Sequence, residues 1–319
     1  MTNMRGGFHL IGSGMEVRVP LPVIISETLR IDRPNAEQMD LVKQGLEWFD
    51  LYGYAREHFE TIATREPGSG GSTLIRRARL PDQELRYLLL TFYGTGNDAH
   101  FLLMAAQLVV PTLWSLFHVY TKEPFGVGGW AGHGADTLAY QRQINEWVKG
   151  EPHPVLDEAA VVRLSDSHAA LCRVDRRVHP GTWRAVELFS LFARMPLMQV
   201  FDVLAMFMLI EMLLTHNPGE REIGDSLVHQ VRHKVPFVFE RKNEQIDYSR
   251  FSGASGDQVW KKLYKYRSCV AHGEEPDFAS ELHVLRDADT ANRFLVAVTR
   301  RLIRFSIDDP ALFEGLKPL

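Results

Sequence analysis

Apolar positions follow strand-like and mixed patterns in the first half of the chain and helical spacing almost throughout the second. PLPVIIS at 20–26 reads as a strand, bracketed by Pro20, Pro22 and the Arg33-Pro34-Asn35 stop. From Ala36 to Tyr54, apolar residues recur at Met39, Val42, Leu46, Phe49 and Leu51, which predicts a helix. EPGSGGST at 66–73 reads as a flexible loop, followed by two β-rich runs, TLIRRARL and ELRYLLLTFYG, and a helix is expected from His100. FGVGGWAGHGAD at 125–136 reads as a second glycine-rich surface loop. Charge, Gly and two prolines coincide in KGEPHP at 149–154, which marks the expected boundary between domains 1–153 and 154–319.

Beyond that boundary the pattern predicts six helices, over 157–178, 182–194, 197–215, 222–239, 257–271 and 288–305. Asn217-Pro218-Gly219 ends the third, Asp257 is placed to cap the fifth, and Gly273 with Pro276 stops it. The expected class is α+β, a mixed α/β N-terminal domain followed by an all-α bundle.

Composition narrows the functional classes. The chain has 319 residues, 45% apolar and 24% charged, which is globular and long enough for two domains. A net charge of −4 argues against a polycationic nucleic-acid binder, although it leaves room for a local basic patch. Two cysteines, Cys172 and Cys269, build neither a disulfide framework nor a zinc site, and a reducing cytoplasmic setting is expected. MTNMRGGFHLIGSG lacks the apolar core of a signal peptide. Ala99 to Thr121 carries no formal charge, yet Gln107, Pro111, Thr112, Ser115 and His118 make it a poor span, so buried elements and no membrane insertion are expected.

Most enzyme signatures are missing. No glycine loop is followed by Lys-Ser or Lys-Thr, FGVGGWAGHG lacks dinucleotide-binding spacing, and there is no GxSxG elbow. His229 and His233 stand four apart on a predicted helix but enclose Gln-Val-Arg, without a metalloprotease glutamate, and Arg232 would repel a cation. Solvated or RNA-facing histidines fit better, so no metal or cofactor is expected. Three Arg–His pairs with four or five intervening residues occur: Arg163–His168, Arg173–His179 and Arg267–His272. Only the last has an apolar context: Arg267 follows Trp260 by seven residues and Leu263 by four. A guanidinium on such a face needs an anion, a partner or an interface. On residues alone, Arg267 either salt-bridges a carboxylate such as Glu211 while His272 caps the helix, or both belong to a site. Five residues at about 100° each leave the two side chains about 140° apart on a regular helix. They converge only if the last turn unwinds or a second copy of the chain supplies the complement.

YKYRSCVAHG resembles the RSKIVHG-type motif of the HEPN superfamily, in its Apea-like bacterial branch. MLIEMLL with its embedded Glu211, SLVHQVRHKVPFVF after it, PLPVIISETLRIDRPNAEQMDLVKQ and LWSLFHVYTKEPFGVGG resemble further segments of that branch. The broader superfamily favours Asn, Asp or His after the arginine; this chain has Ser268, which the Apea-like pattern accommodates. The resemblance implies a helical-bundle endoribonuclease that works without metal as a homodimer, in anti-phage or stress defence. An antitoxin or phage-derived trigger would then be a partner. It assigns Arg267 and His272 to catalysis, with Ser268, Glu211, Lys261, Lys262 and Lys265 supporting the site or contacting RNA. The chemistry is compatible: histidine can move protons near neutrality, and arginine binds phosphate oxygens bidentately. Residues 221–267 hold ten Lys or Arg against six Asp or Glu, +4 against −8 for the remainder. The rivals are a non-catalytic dimerising or RNA-binding module, and a metal-dependent hydrolase around His229 and His233.

Overall fold

Leu88, Leu90 and Phe92 alternate with Leu89 along one strand, and all four are buried, so that strand must lie inside a sheet covered on both faces. The computed structural model describes residues 6–11, 16–49, 51, 53, 59–67, 73–94, 96–110, 113, 115–122, 126–132, 155–193, 199–216, 226–251 and 253–317. They form an α+β chain that divides into two compact units, residues 1–168 and 169–319. The boundary expected at 149–154 lies outside the described residues.

The first unit is built on a six-stranded antiparallel sheet. Its strands are β1 (Gly6–Ile11), β3 (Val23–Ile24), β4 (Leu29–Asp32), β7 (Leu88–Tyr93), β8 (Ser115–Lys122) and β9 (Gly126–Gly132), in the order β3-β4-β7-β1-β8-β9. Separate pairs are formed by β5 (Thr61–Pro67) with β6 (Thr73–Arg79) and by β2 (Glu16–Val17) with β10 (Val155–Leu156). Helix α1 (Ala36–Trp48) lays Val42 and Leu46 on Phe8, Leu10, Leu89, Phe117 and Val119. Helix α2 (Asn97–Val109) covers the other face, packing Leu102, Leu103 and Ala106 with Leu29, Ile31, Leu88, Leu90 and Phe92. Leu156, and Ala160 and Leu164 of α3 (Glu158–Arg173), join that second core.

The uncharged stretch from Ala99 is therefore the greater part of a thirteen-residue helix, Asn97–Val109, followed by a sheet strand, and among the described residues no helix is long and apolar enough to cross a membrane. Several local expectations change. The strand expected at 20–26 shrinks to 23–24, and the helix expected to reach Tyr54 ends at Trp48. The glycine-rich segment expected as a loop contains β9, whose pairing with β8 overrides glycine's weak strand preference. β1, which the sequence did not announce, sits between β7 and β8. Gly7 is required there, because a Cβ would lie 2.1 Å from the Val119 carbonyl oxygen and 2.8 Å from Phe92.

The second unit holds α4 (Pro180–Ala193), α5 (Gln199–Leu214), α6 (Leu227–Arg241), α7 (Gly256–His272), α8 (Ala288–Asp308) and α9 (Pro310–Leu316). Helix α5 is apolar nearly all round because it is central, packed against α4, α6, α7, α8 and α9. Helix α8 buries Ala291, Phe294, Leu295, Val298, Leu302 and Phe305 at helical spacing along one side. Lys234 of α6 is buried and donates to the Leu316 carbonyl at 2.7 Å, closing the last turn of α9.

Candidate active site

Helix α7 carries the Arg–His motif, and both ends of that helix are fixed by local chemistry. Ser255, not Asp257, is the N-cap: its hydroxyl accepts from the Gln258 N–H at 3.3 Å, while Gln258 Oε1 accepts from the Ser255 N–H at 3.1 Å. Asp257 is instead ion-paired with Arg232 of α6. At the other end Gly273 adopts φ +72°, its N–H donates to Val270 at 3.2 Å and the Glu274 N–H to Cys269 at 2.8 Å. This pair of bonds stops the helix directly after His272 and keeps its last turn regular. Arg267 and His272 thus do not converge within one chain by unwinding of the helix.

Val259, Trp260, Leu263, Tyr266 and Cys269 form the buried side of α7, and Arg267 stands at its margin. Its Nη2 lies 3.7 Å from Glu211 Oε2 on α5, with side chains 30% and 17% exposed. The pairing that the residues left open is therefore present, though at a distance beyond a charge-assisted hydrogen bond. Arg267 Nε and Glu211 Oε1 are both buried without a hydrogen-bond partner. The guanidinium also sits 5.5 Å from the Tyr264 ring centroid, and Tyr264 meets Phe207 edge-on at 5.5 Å. Burial raises the Glu211 carboxyl above its ordinary range, and the Arg267 charge opposes that rise. Burial also raises the Tyr264 phenol, helped by the Glu211 charge and opposed by Arg267.

His272 is exposed at the helix end. Ser268 and Lys262 are half-buried, Lys261 is exposed, and Lys265 pairs with Glu281 at 3.7 Å. The motif helix thus presents one under-bonded guanidinium backed by a carboxylate and an aromatic ring, and one exposed imidazole at its tip. These groups can bind an anion and move a proton.

The other two Arg–His pairs differ. Arg163 and Arg173 are exposed, while His179 bonds Glu314 at 2.7 Å. His168, whose sequence offered no apolar context, is nevertheless buried, and burial lowers its pKa against the opposing charge of Asp98. Sequence reasoning missed Tyr264 as the ring beside Arg267; the three-residue spacing on one helix was the available signal. It also missed a buried Ser–His contact in the first unit, where His9 Nδ1 lies 2.8 Å from Ser115 Oγ. That hydroxyl donates to the Phe117 carbonyl at 3.2 Å, so the imidazole N–H must donate to it, and the serine proton is already engaged. The pair anchors β1 to β8 and is not an activated nucleophile. Among the described residues no group of three or more His, Cys, Asp or Glu could hold a metal ion.

No family model matches this chain, and no curated protein or solved structure matches it.

Proposed function

We propose that the chain is a HEPN-type endoribonuclease of the Apea-like branch that cleaves RNA without metal, using Arg267 and His272. The observation that carries this reading is the state of Arg267: a partly exposed guanidinium whose Nη2 contact with Glu211, at 3.7 Å, is longer than a hydrogen bond. Such a group retains hydrogen-bonding capacity for phosphate oxygens. In the proposed reaction the RNA 2′-hydroxyl attacks its own phosphorus and displaces the 5′-oxygen. A base must take the hydroxyl proton, an acid must protonate the leaving oxygen, and positive charge must steady the phosphorane. His272 serves one proton role and Arg267 the charge. The second proton role falls to a second copy of the chain, so the proposed active form is a homodimer acting in the cytoplasm. Lys261, Lys262 and Lys265 line the same helix as secondary RNA contacts, and a defence role with an antitoxin or phage-derived trigger follows from the same resemblance.

A second reading is favoured by the same pair: Glu211 holds Arg267 in the fold, and the helix end shapes an interface for dimerisation or RNA binding without cleavage. Incubating the full chain with mixed RNAs, with and without EDTA, separates the two. The first reading expects EDTA-resistant cleavage leaving 2′,3′-cyclic phosphate ends that disappears in His272→Ala. Cleavage that stops in EDTA and returns with manganese, or products ending in 3′-hydroxyl, would overturn it; RNA retention without cleavage favours the second.

A further inference from the structure

His229 and His233 are both exposed on α6, and their ring centroids lie 4.2 Å apart. Ser226 caps that helix, its hydroxyl accepting from the His229 N–H at 3.3 Å, so both imidazoles rise from the opening turns of a fixed helix. Arg232, which from sequence alone argues against a cation at this place, is engaged by a carboxylate of another helix. Its Nε lies 2.7 Å from Asp257 Oδ1 on α7, and its Nη2 contacts the same oxygen, so its charge is balanced by a carboxylate on the neighbouring helix.

We infer that His229 and His233 form a two-ligand surface site for a late first-row divalent cation: copper, nickel or zinc. Neutral imidazole suits these metals and not magnesium or calcium, which take oxygen ligands. Two imidazole nitrogens at about 2.0–2.1 Å from one metal stand about 3 Å apart. Rings already in contact reach that arrangement by side-chain rotation, with no movement of the helix. With two protein ligands the remaining positions belong to water, and the ion exchanges readily. The bound ion bridges one turn at the start of α6. Arg232 of that helix is the residue tied to the motif helix, so metal uptake braces the element beside the Arg–His motif without entering the cleavage chemistry. The inference does not rest on the ribonuclease reading.

The test is calorimetric titration of the full chain with nickel chloride, with magnesium chloride as the control, for wild type, His229→Ala and His233→Ala. Both positions are exposed, so the variants keep the fold, which circular dichroism checks. One nickel site is expected in wild type, weakened at least tenfold in each variant, with no uptake of magnesium. Nickel should also raise the thermal midpoint of wild type more than that of either variant. Wild-type isotherms in both variants, or no nickel uptake by wild type, would overturn the inference. Because neither readout involves RNA, the ribonuclease reading can fail while this one stands.

Discussion

Substituting Arg267 acts on stability and on the proposed chemistry together, and the Glu211 contact gives the means to separate them. At 3.7 Å and an effective dielectric of 20, the attraction is about 4–5 kcal/mol before desolvation. Partial burial of both groups offsets most of it. Side chains 30% and 17% exposed place the pair between exposed pairs, at about 0–1 kcal/mol, and buried ones, where removing one partner costs about 3–5 kcal/mol. Arg267→Ala should therefore destabilise by about 2–3 kcal/mol at neutral pH, because it leaves the Glu211 carboxylate half-buried without its cation. Glu211→Gln should cost under about 1 kcal/mol, and the double variant should recover about 1–2 kcal/mol of the Arg267→Ala loss. The pH dependence has a definite sign. Burial raises the folded-state Glu211 pKa above the ordinary 4.5, so this group favours the folded state below that value, and the benefit is lost as pH rises through the raised one. Without Arg267 the opposing influence is gone, so the Arg267→Ala deficit should grow from pH 5 to pH 7, and that growth should be absent in the Glu211→Gln background. Urea unfolding of the four proteins at both pH values measures this. A coupling below about 0.3 kcal/mol at pH 7, or a pH-independent deficit, would refute the ion-pair reasoning. Cleavage by Glu211→Gln and by the double variant then isolates the chemistry: activity kept in Glu211→Gln and lost in a folded double variant places Arg267 in the reaction.

Four further outcomes are expected. His272→Ala should change stability by under about 0.5 kcal/mol, since the side chain is exposed, yet abolish cleavage; a large fall in thermal midpoint would mark a structural role. Mixing wild-type and His272→Ala chains after subunit exchange should give less activity than the wild-type content predicts, whereas strict proportionality would show that each chain works alone. Lys234→Met should lose about 1–3 kcal/mol in urea unfolding, because Nζ bonds the Leu316 carbonyl and Gln230 in a buried position. Gly7→Ala should cost about 3 kcal/mol or more, read as a lower urea midpoint, because the Val119 carbonyl oxygen of the paired strand and the buried Phe92 ring leave no room for the added Cβ.

The second unit was legible in the sequence because its helix ends carry their own signals. The Arg–His helix, expected over 257–271, spans 256–272 and ends at Gly273 as expected. The cap was misplaced by two residues because Ser255 and Asp257 can both accept from the backbone. The reciprocal bond from Gln258 decides for Ser255, and Arg232 claims Asp257. The first unit was less legible because its sheet is non-local. β1 pairs with strands some eighty and more than a hundred residues later, and strands buried on both faces lose the polar alternation that marks a strand. For the site, Trp260 and Leu263 correctly set Arg267 beside a buried face, and Glu211 was the carboxylate the residues suggested. The burial of His168 depends on what packs over its helix, which spacing alone does not carry.

The regular end of α7 constrains any catalytic reading of the motif. Had the last turn unwound, one chain could bring guanidinium and imidazole to one phosphate. The two bonds around Gly273 hold the turn closed, and the five-residue separation keeps its angular offset of about 140°. Arg267 is directed to Glu211 on α5, whereas His272 stands exposed where the helix stops. A reaction needing two proton-transfer groups and a cation is therefore incomplete on one chain's motif. A two-fold axis beside the helix tip would supply the missing imidazole and a second guanidinium, because an isologous contact brings equivalent groups together. Dimerisation and cleavage are thus coupled in the proposed mechanism: a form that stays monomeric at micromolar concentration and still cleaves RNA would require a different proton donor, and with it a different mechanism.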